Sequence, residues 1–130
     1  MSAMRHVLTI LAVEDVAGAA RFYETVFGWR RRVDVPVYVE FETPDAPNVA
    51  VYQRRGFARN TTRDATPPAS GATSSTELYF RVDDVDASVA RALAAGATPL
   101  SPRAPRDWGE DVAYVADPDG DVIAFARPSR

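Results

Sequence analysis

Apolar and polar residues alternate, cluster and break in the same order twice along the chain. Residues 6–13 (HVLTILAV) read as a strand and lead into Val13-Glu14-Asp15-Val16. Residues 76–82 (TELYFRV) lead into Val82-Asp83-Asp84-Val85, the same pattern 69 positions later. After each copy, apolar residues recur at the i, i+3, i+4, i+7 spacing of a helix with one buried stripe. In the first half these are Val16, Ala19, Ala20, Tyr23, Val26 and Phe27; in the second they are Val85, Val89, Ala92 and Leu93. Asp15 and Asp84 stand where an N-cap carboxylate accepts from the first free amides. Gly28 and Gly96 stand where a left-handed C-cap is needed.

Three short strands are predicted after each helix, over 29–33, 35–42 and 48–53, then over 98–100, 111–116 and 122–126. Pro36 and Pro44 bracket one of them, and Asp117-Pro118-Asp119-Gly120 is a turn in which both aspartates serve local hydrogen bonding. Each half is therefore β-α-β-β-β, with module one over about 5–53 and module two over about 76–127. Between them, residues 54–75 are rich in Ser, Thr, Gly and Pro, including Pro67-Pro68, and lack periodicity. Such a segment serves either as a mobile connector or as a lid over a ligand.

Side chains on a strand alternate between faces. Val37, Val39 and Phe41 form an apolar face, opposite Tyr38, Glu40 and Glu42. Leu78, Phe80 and Val82 do the same opposite Glu77, Tyr79 and Arg81. The apolar face of each strand packs on a helix; the other faces solvent or lines a cavity.

Composition narrows the chemistry. The chain has 130 residues, 46% of them hydrophobic and 25% charged, the size and balance of a single globular domain. No run approaches a membrane span and no signal segment opens the sequence, so a cytoplasmic protein is expected. The absence of Cys excludes disulfides, thiolate nucleophiles and thiolate metal sites. All 15 basic residues are Arg, which excludes a lysine Schiff base or a P-loop lysine. His6 is the only histidine and reads as a surface or dimer-edge side chain. A net charge of −3 exerts no general pull on nucleic acid. Arg30, Arg31, Arg32, Arg54 and Arg55 read as solvated strand ends in preference to an anion clamp, and Trp29 as core or dimer interface.

The paired β-α-β-β-β halves, with Val-x-Asp opening each helix, closely resemble the vicinal oxygen chelate superfamily of glyoxalase I, extradiol dioxygenases and fosfomycin- and bleomycin-resistance proteins. The most specific stretch runs from Glu77 to Phe125 and includes FRVDDVDASVARALAAGA, Trp108-Gly109 and YVADPDGDVIAF. The resemblance implies an α+β fold in which two βαβββ modules in tandem form a cup-shaped open barrel, supported by a homodimer. In the superfamily's enzymes three inner positions hold a metal, and they correspond here to Leu8, Glu77 and Ala124. Only Glu77 keeps a metal-capable side chain, and one carboxylate does not hold a divalent metal against water. Glu40 and Glu42 are the other carboxylates available to join it.

The resemblance thus points to the metal-free, bleomycin-resistance-like branch, with no metal, no cofactor and no catalytic residue. The implied partner is a bulky small-molecule ligand, aromatic in one version, and neither nucleic acid nor a membrane. Leu8, Ile10, Ala12 and Ala124 supply an apolar floor. Tyr38, Tyr79, Tyr114 and Trp108 supply aromatic surface, and Glu77, Glu40 and Arg81 supply polar anchors. Trp108 alternatively closes a loop, and Arg81 alternatively pairs with Glu77 or Glu40 as a structural tie. Two other functions stay open: a superfamily enzyme with an altered or lost metal site, Glu77 serving as a lone base, and a non-catalytic partner module.

Overall fold

The computed structural model describes residues 4–67, 69 and 71–130. It divides into two compact units, Met1–Pro67 and Pro68–Arg130, each built on its own sheet. The first unit contains β1 (Leu8–Val13), α1 (Val16–Phe27), β2 (Arg30–Val35), β3 (Tyr38–Glu42), β4 (Asn48–Gln53) and α2 (Arg54–Thr61). The second contains β5 (Glu77–Arg81), α3 (Val85–Ala94), β6 (Thr98–Pro105), β7 (Glu110–Ala116) and β8 (Val122–Pro128). Strand order is β1-β4-β3-β2 in one sheet and β5-β8-β7-β6 in the other, the same path traced twice. The α+β fold of two βαβββ modules is therefore present as expected.

The caps behave as their residue types require. Asp15 accepts from the Gly18 amide at 3.0 Å and Asp84 from the Ala87 amide at 3.0 Å. Gly28 takes φ +70° at the end of α1, a conformation that costs a side chain dearly. Helix α1 buries its stripe on one face of the first sheet. Tyr23, Phe41, Val13 and Val51 are fully buried in the first unit. Phe125, Ile123, Val85 and Val115 fill the second. Trp29 joins the first core by stacking on Phe27, with ring centroids 4.5 Å apart. Asp117 is buried and accepts from the amides of Asp119 and Asp121, both at 2.9 Å, so it does serve its own turn.

Four expectations need correction. The segment after module one is not featureless: its first eight residues form α2, which packs on β1 and β4. Its sequence, RRGFARNT, carries too few apolar residues to show a period, and tertiary contact decides its conformation. Gly56 is what lets α2 approach: a Cβ there lies 2.8 Å from the Tyr52 ring. Among the remaining described residues of 62–75, none is in a helix or strand; Pro68 of the Pro67-Pro68 pair lies outside the described residues. Val35 belongs to β2 and not to the next strand, because Pro36 and Val37 form the turn between them. The sixth strand runs on from Leu100 to Pro105, with register shifts at Pro99/Ser101 and Ser101/Ala104. Finally, the α3 stripe is only half used: Val85 and Ala92 are buried, but Leu93 is exposed and Val89 half-buried.

Candidate functional site

Register fixes which residues share the face away from the helices, because paired residues point to the same side. In the first sheet, Leu8 pairs with Asn48, Ile10 with Ala50 and Ala50 with Glu40, and Tyr52 lies between Ala12 and Tyr38. In the second, Ala124 lies between Tyr79 and Tyr114, while Glu77 pairs with Val122 and Arg81 with Ala126. The open face of each sheet thus carries the residues singled out from the sequence.

Each open face carries a carboxylate held by a tyrosine and an arginine, in mid-strand on β3 and at the first residue of β7. In the first unit, Glu40 is buried and accepts from the Tyr38 hydroxyl at 2.7 Å. Its second oxygen accepts from Arg32 and from Asn48, each at 3.1 Å. The Tyr38 hydrogen bond, with help from Asn48 and Arg32, outweighs burial and holds the Glu40 carboxyl below the ordinary carboxylate range. Burial first, and then the Glu40 charge, push the Tyr38 hydroxyl up to about 12. Tyr38 also meets Tyr52 edge-on at 5.5 Å, which connects the carboxylate to the ring beneath α2.

In the second unit the carboxylate is Glu110, a buried residue that the sequence reading passed over. Tyr79 donates a short hydrogen bond to it, and Arg81 donates from Nε at 2.8 Å. Arg81 therefore pairs with Glu110, not with Glu77 or Glu40. That contact, seconded by Tyr79, lowers the Glu110 carboxyl, while burial and Glu110 raise the Tyr79 hydroxyl. Trp108 completes the group by donating from Nε1 to the Tyr79 oxygen at 3.0 Å. The indole is pinned at one edge yet remains more than half exposed, so its ring is a fixed aromatic surface.

Chemically, neither carboxylate is a free general base. Each is ionised and already accepts from two or more donors, and each tyrosine is kept as the protonated donor. The faces offer aromatic surface, the outer edge of Arg81 and the unpaired carboxylate of Glu77, for which no donor is present among the described residues. One face of the Tyr114 ring is covered by the Arg106 guanidinium, 5.2 Å from its centroid. Arg106 also donates to Ser101 and to the carbonyls of Pro102 and Val112, and its Nε is buried with no partner. Leu8 is half-buried, Ile10 exposed and Ala124 fully buried.

Among the described residues, no three His, Asp or Glu side chains converge as a metal site requires. His6 instead meets the Thr9 hydroxyl at 3.0 Å on an exposed stretch. No helix among them is long and apolar enough to cross a membrane.

Glu110 was legible in part: it shares strand parity with Val112 and Tyr114, which sets it on the same face as Tyr79. Arg106 was not singled out; its partners come from the bulged β6 and from β7.

With this geometry in view, likeness to known proteins is specific. A profile of the glyoxalase-like domain family matches residues 8–125. The chain belongs to that family. An uncharacterized protein of Mycobacterium bovis is 32% identical over 130 positions, covering 92% of this chain and 81% of that relative. A glyoxalase/bleomycin resistance protein/dioxygenase family enzyme from Burkholderia phytofirmans superposes with a TM-score of 0.83 at 21% identity, covering 97% of this chain and all of that one. A glyoxalase-related enzyme from Fulvimarina pelagi gives 0.81 at 24% identity, covering 94% and 86%. These two likenesses establish the fold, the glyoxalase-like pair of βαβββ modules, and leave the chemistry to the residues. The glyoxalase-like family's metal does not fit here: hydrocarbon side chains stand at Leu8 and Ala124, leaving Glu77 alone.

Proposed function

We propose that this glyoxalase-like chain is a metal-independent binding protein that takes up a bulky aromatic small molecule and sequesters it unchanged, in the manner of the antibiotic-binding members of its superfamily. The observation that carries this is the exposed indole of Trp108, held in place by Tyr79, whose register partner is the apolar Ala124. A site with aromatic surface and few polar anchors favours binding by stacking and burial. The carboxylates Glu40 and Glu110 support it further, since each is ionised and already held by a tyrosine and an arginine, which stiffens the face. The protein is taken to act as a homodimer, which light scattering of the purified chain tests directly.

The test is a titration of chelator-treated protein with polycyclic aromatic antibiotics, read by quenching of tryptophan fluorescence. The expected result is saturable quenching, lost in Trp108→Ala, unaffected by added zinc or manganese, with the ligand recovered intact by mass spectrometry. Consumption of the ligand, or binding only with metal, would overturn the proposal. One observation favours a second reading, an enzyme using Glu77 as base: its carboxylate has no protein donor among the described residues. Glu77→Ala would then abolish turnover, whereas in a binding protein it changes affinity alone.

A further inference from the structure

The half-used stripe of α3 borders a cavity that the open faces do not account for. Alternation along β7 places Ala113 and Val115 on the face opposite Tyr114, toward α3. There they floor a space of about 310 Å³, walled by Val89 and by Leu100 and Pro102 of the bulged β6. Ala113 and Val115 are almost wholly buried, whereas Leu100 is half exposed at the entrance. Two register shifts bow β6 away from its neighbour, and proline at 99 and 102 prevents the bulged segment from closing into a regular ladder. An apolar space of this size lies at the lower end of the range for small-molecule pockets, room for one ring and a short chain.

Two charged side chains line the cavity, Asp86 and Arg103, and further carboxylates stand beside Arg103. Asp86 lines the cavity and accepts from Arg103 Nε at 2.9 Å, through one carboxylate oxygen only. Arg103 also faces Asp111 at 3.8 Å, and Asp84 acts on it from the N-cap of α3. Three carboxylates thus stand about the Arg103 guanidinium, and with Arg127 beside Asp111 on β8 the rim keeps an excess of one negative charge. The helix N-terminus contributes only about half a positive charge, which Asp84 more than offsets. An acidic rim over an apolar floor is complementary to an organic cation with a hydrophobic body.

We infer that the α3–β6 cavity is a second small-molecule site, selective for a primary ammonium carried on a compact apolar or aromatic group. The ammonium lies at Asp86 and the hydrophobic body enters between Val89, Leu100 and Ala113. This site is on the helix side of the second sheet and is independent of ligand binding at Trp108.

The test uses the full chain, isotope-labelled, with two isosteric probes: 2-phenylethylammonium and 3-phenylpropionate. Methyl resonances of Val89, Leu100, Ala113 and Val115 are followed by NMR up to about 20 mM probe, enough to saturate a site of about millimolar Kd. The ammonium is expected to shift these methyls saturably, and Asp86→Asn to weaken it about two- to fivefold, the worth of an exposed ion pair. Val89→Trp, which fills the cavity, should abolish the shifts while the Trp108 indole signal stays in place. No saturable shift, or equal binding of both probes, overturns the inference. Shifts confined to Trp108 and Tyr79 overturn it as well, without touching the sequestering function.

Discussion

The two modules solve one electrostatic problem in two ways. In the first, Glu40 takes its tyrosine from two residues away on the same strand, and Asn48 and Arg32 from neighbouring strands. In the second, Glu110 takes Tyr79 and Arg81 from a strand about thirty residues earlier, and Trp108, from the loop before Glu110, donates to the Tyr79 oxygen. The exposures differ accordingly. On Glu40 the tyrosine and Asn48 are half-buried and the Arg32 side chain is 57% exposed; on Glu110 the tyrosine is exposed and the Arg81 side chain is 72% exposed. The first cluster is a brace that fixes its sheet; the second is a bracket that holds aromatic and cationic groups outward. The two modules thus carry the same carboxylate–tyrosine–arginine grouping, supplied from different strands.

Breaking the brace should have the largest effect. Glu40→Gln removes a buried charge that three side chains hydrogen-bond, and should cost about 2–3 kcal/mol in urea denaturation. Glu110→Gln should cost clearly less, because its guanidinium partner is re-solvated easily; an equal loss would erase the distinction between brace and bracket. Acid sharpens the same contrast. Both carboxyls ionise more readily folded than unfolded, so their stabilisation is whole above the ordinary 4.5 and is lost as pH falls through the lowered folded values. Each Gln variant should therefore flatten the decline in stability below pH 4.5, Glu40→Gln more than Glu110→Gln.

Tyr38→Phe comes next, at about 1 kcal/mol for one hydrogen bond to a charged group already shared by two other donors. Its titration gives a second readout. The Tyr38 hydroxyl is raised from 10 to about 12, so its contribution is present below pH 10 and disappears as pH rises through 12. Ultraviolet titration should show a phenol near that value in the parent protein and lose it in Tyr38→Phe. Gly56→Ala sets two terms against each other: helix propensity gains about 1 kcal/mol, while overpacking against Tyr52 costs about 1–3 kcal/mol. With the Tyr52 ring held edge-on by Tyr38, the cost should win by about 1 kcal/mol, seen in urea denaturation. Smallest of all, Trp108→Ala should change stability by less than about 0.5 kcal/mol, as exposed substitutions do, while removing ligand binding.

Legibility in the sequence followed the range of the interactions. The repeat, both Asp caps and the Gly28 cap depend on spacings of a few residues, and all are where the pattern puts them. Strand parity likewise put Tyr38 with Glu40 and Tyr79 with Arg81. Helix α2 escaped because its stability comes from Tyr52 and the strands beneath, not from its own composition. Glu110 and Arg106 escaped because their partners are set by how β7 lies against β5 and the bulged β6. The arginine run at 30–32 illustrates the limit: Arg31 pairs with Glu24 at 2.9 Å and Arg32 reaches Glu40, contacts no local count reveals.

One feature of β6 bears on how copies of this chain meet. The strand forms the outer edge of its sheet and carries Pro99, Pro102 and Pro105, none of which has an amide hydrogen to offer. Together with the two bulges, they interrupt the row of donors that another strand would need in order to add itself. Growth of this sheet by edge pairing is therefore blocked on one side. Self-association by strand addition would have to use a different edge, or side-chain surfaces.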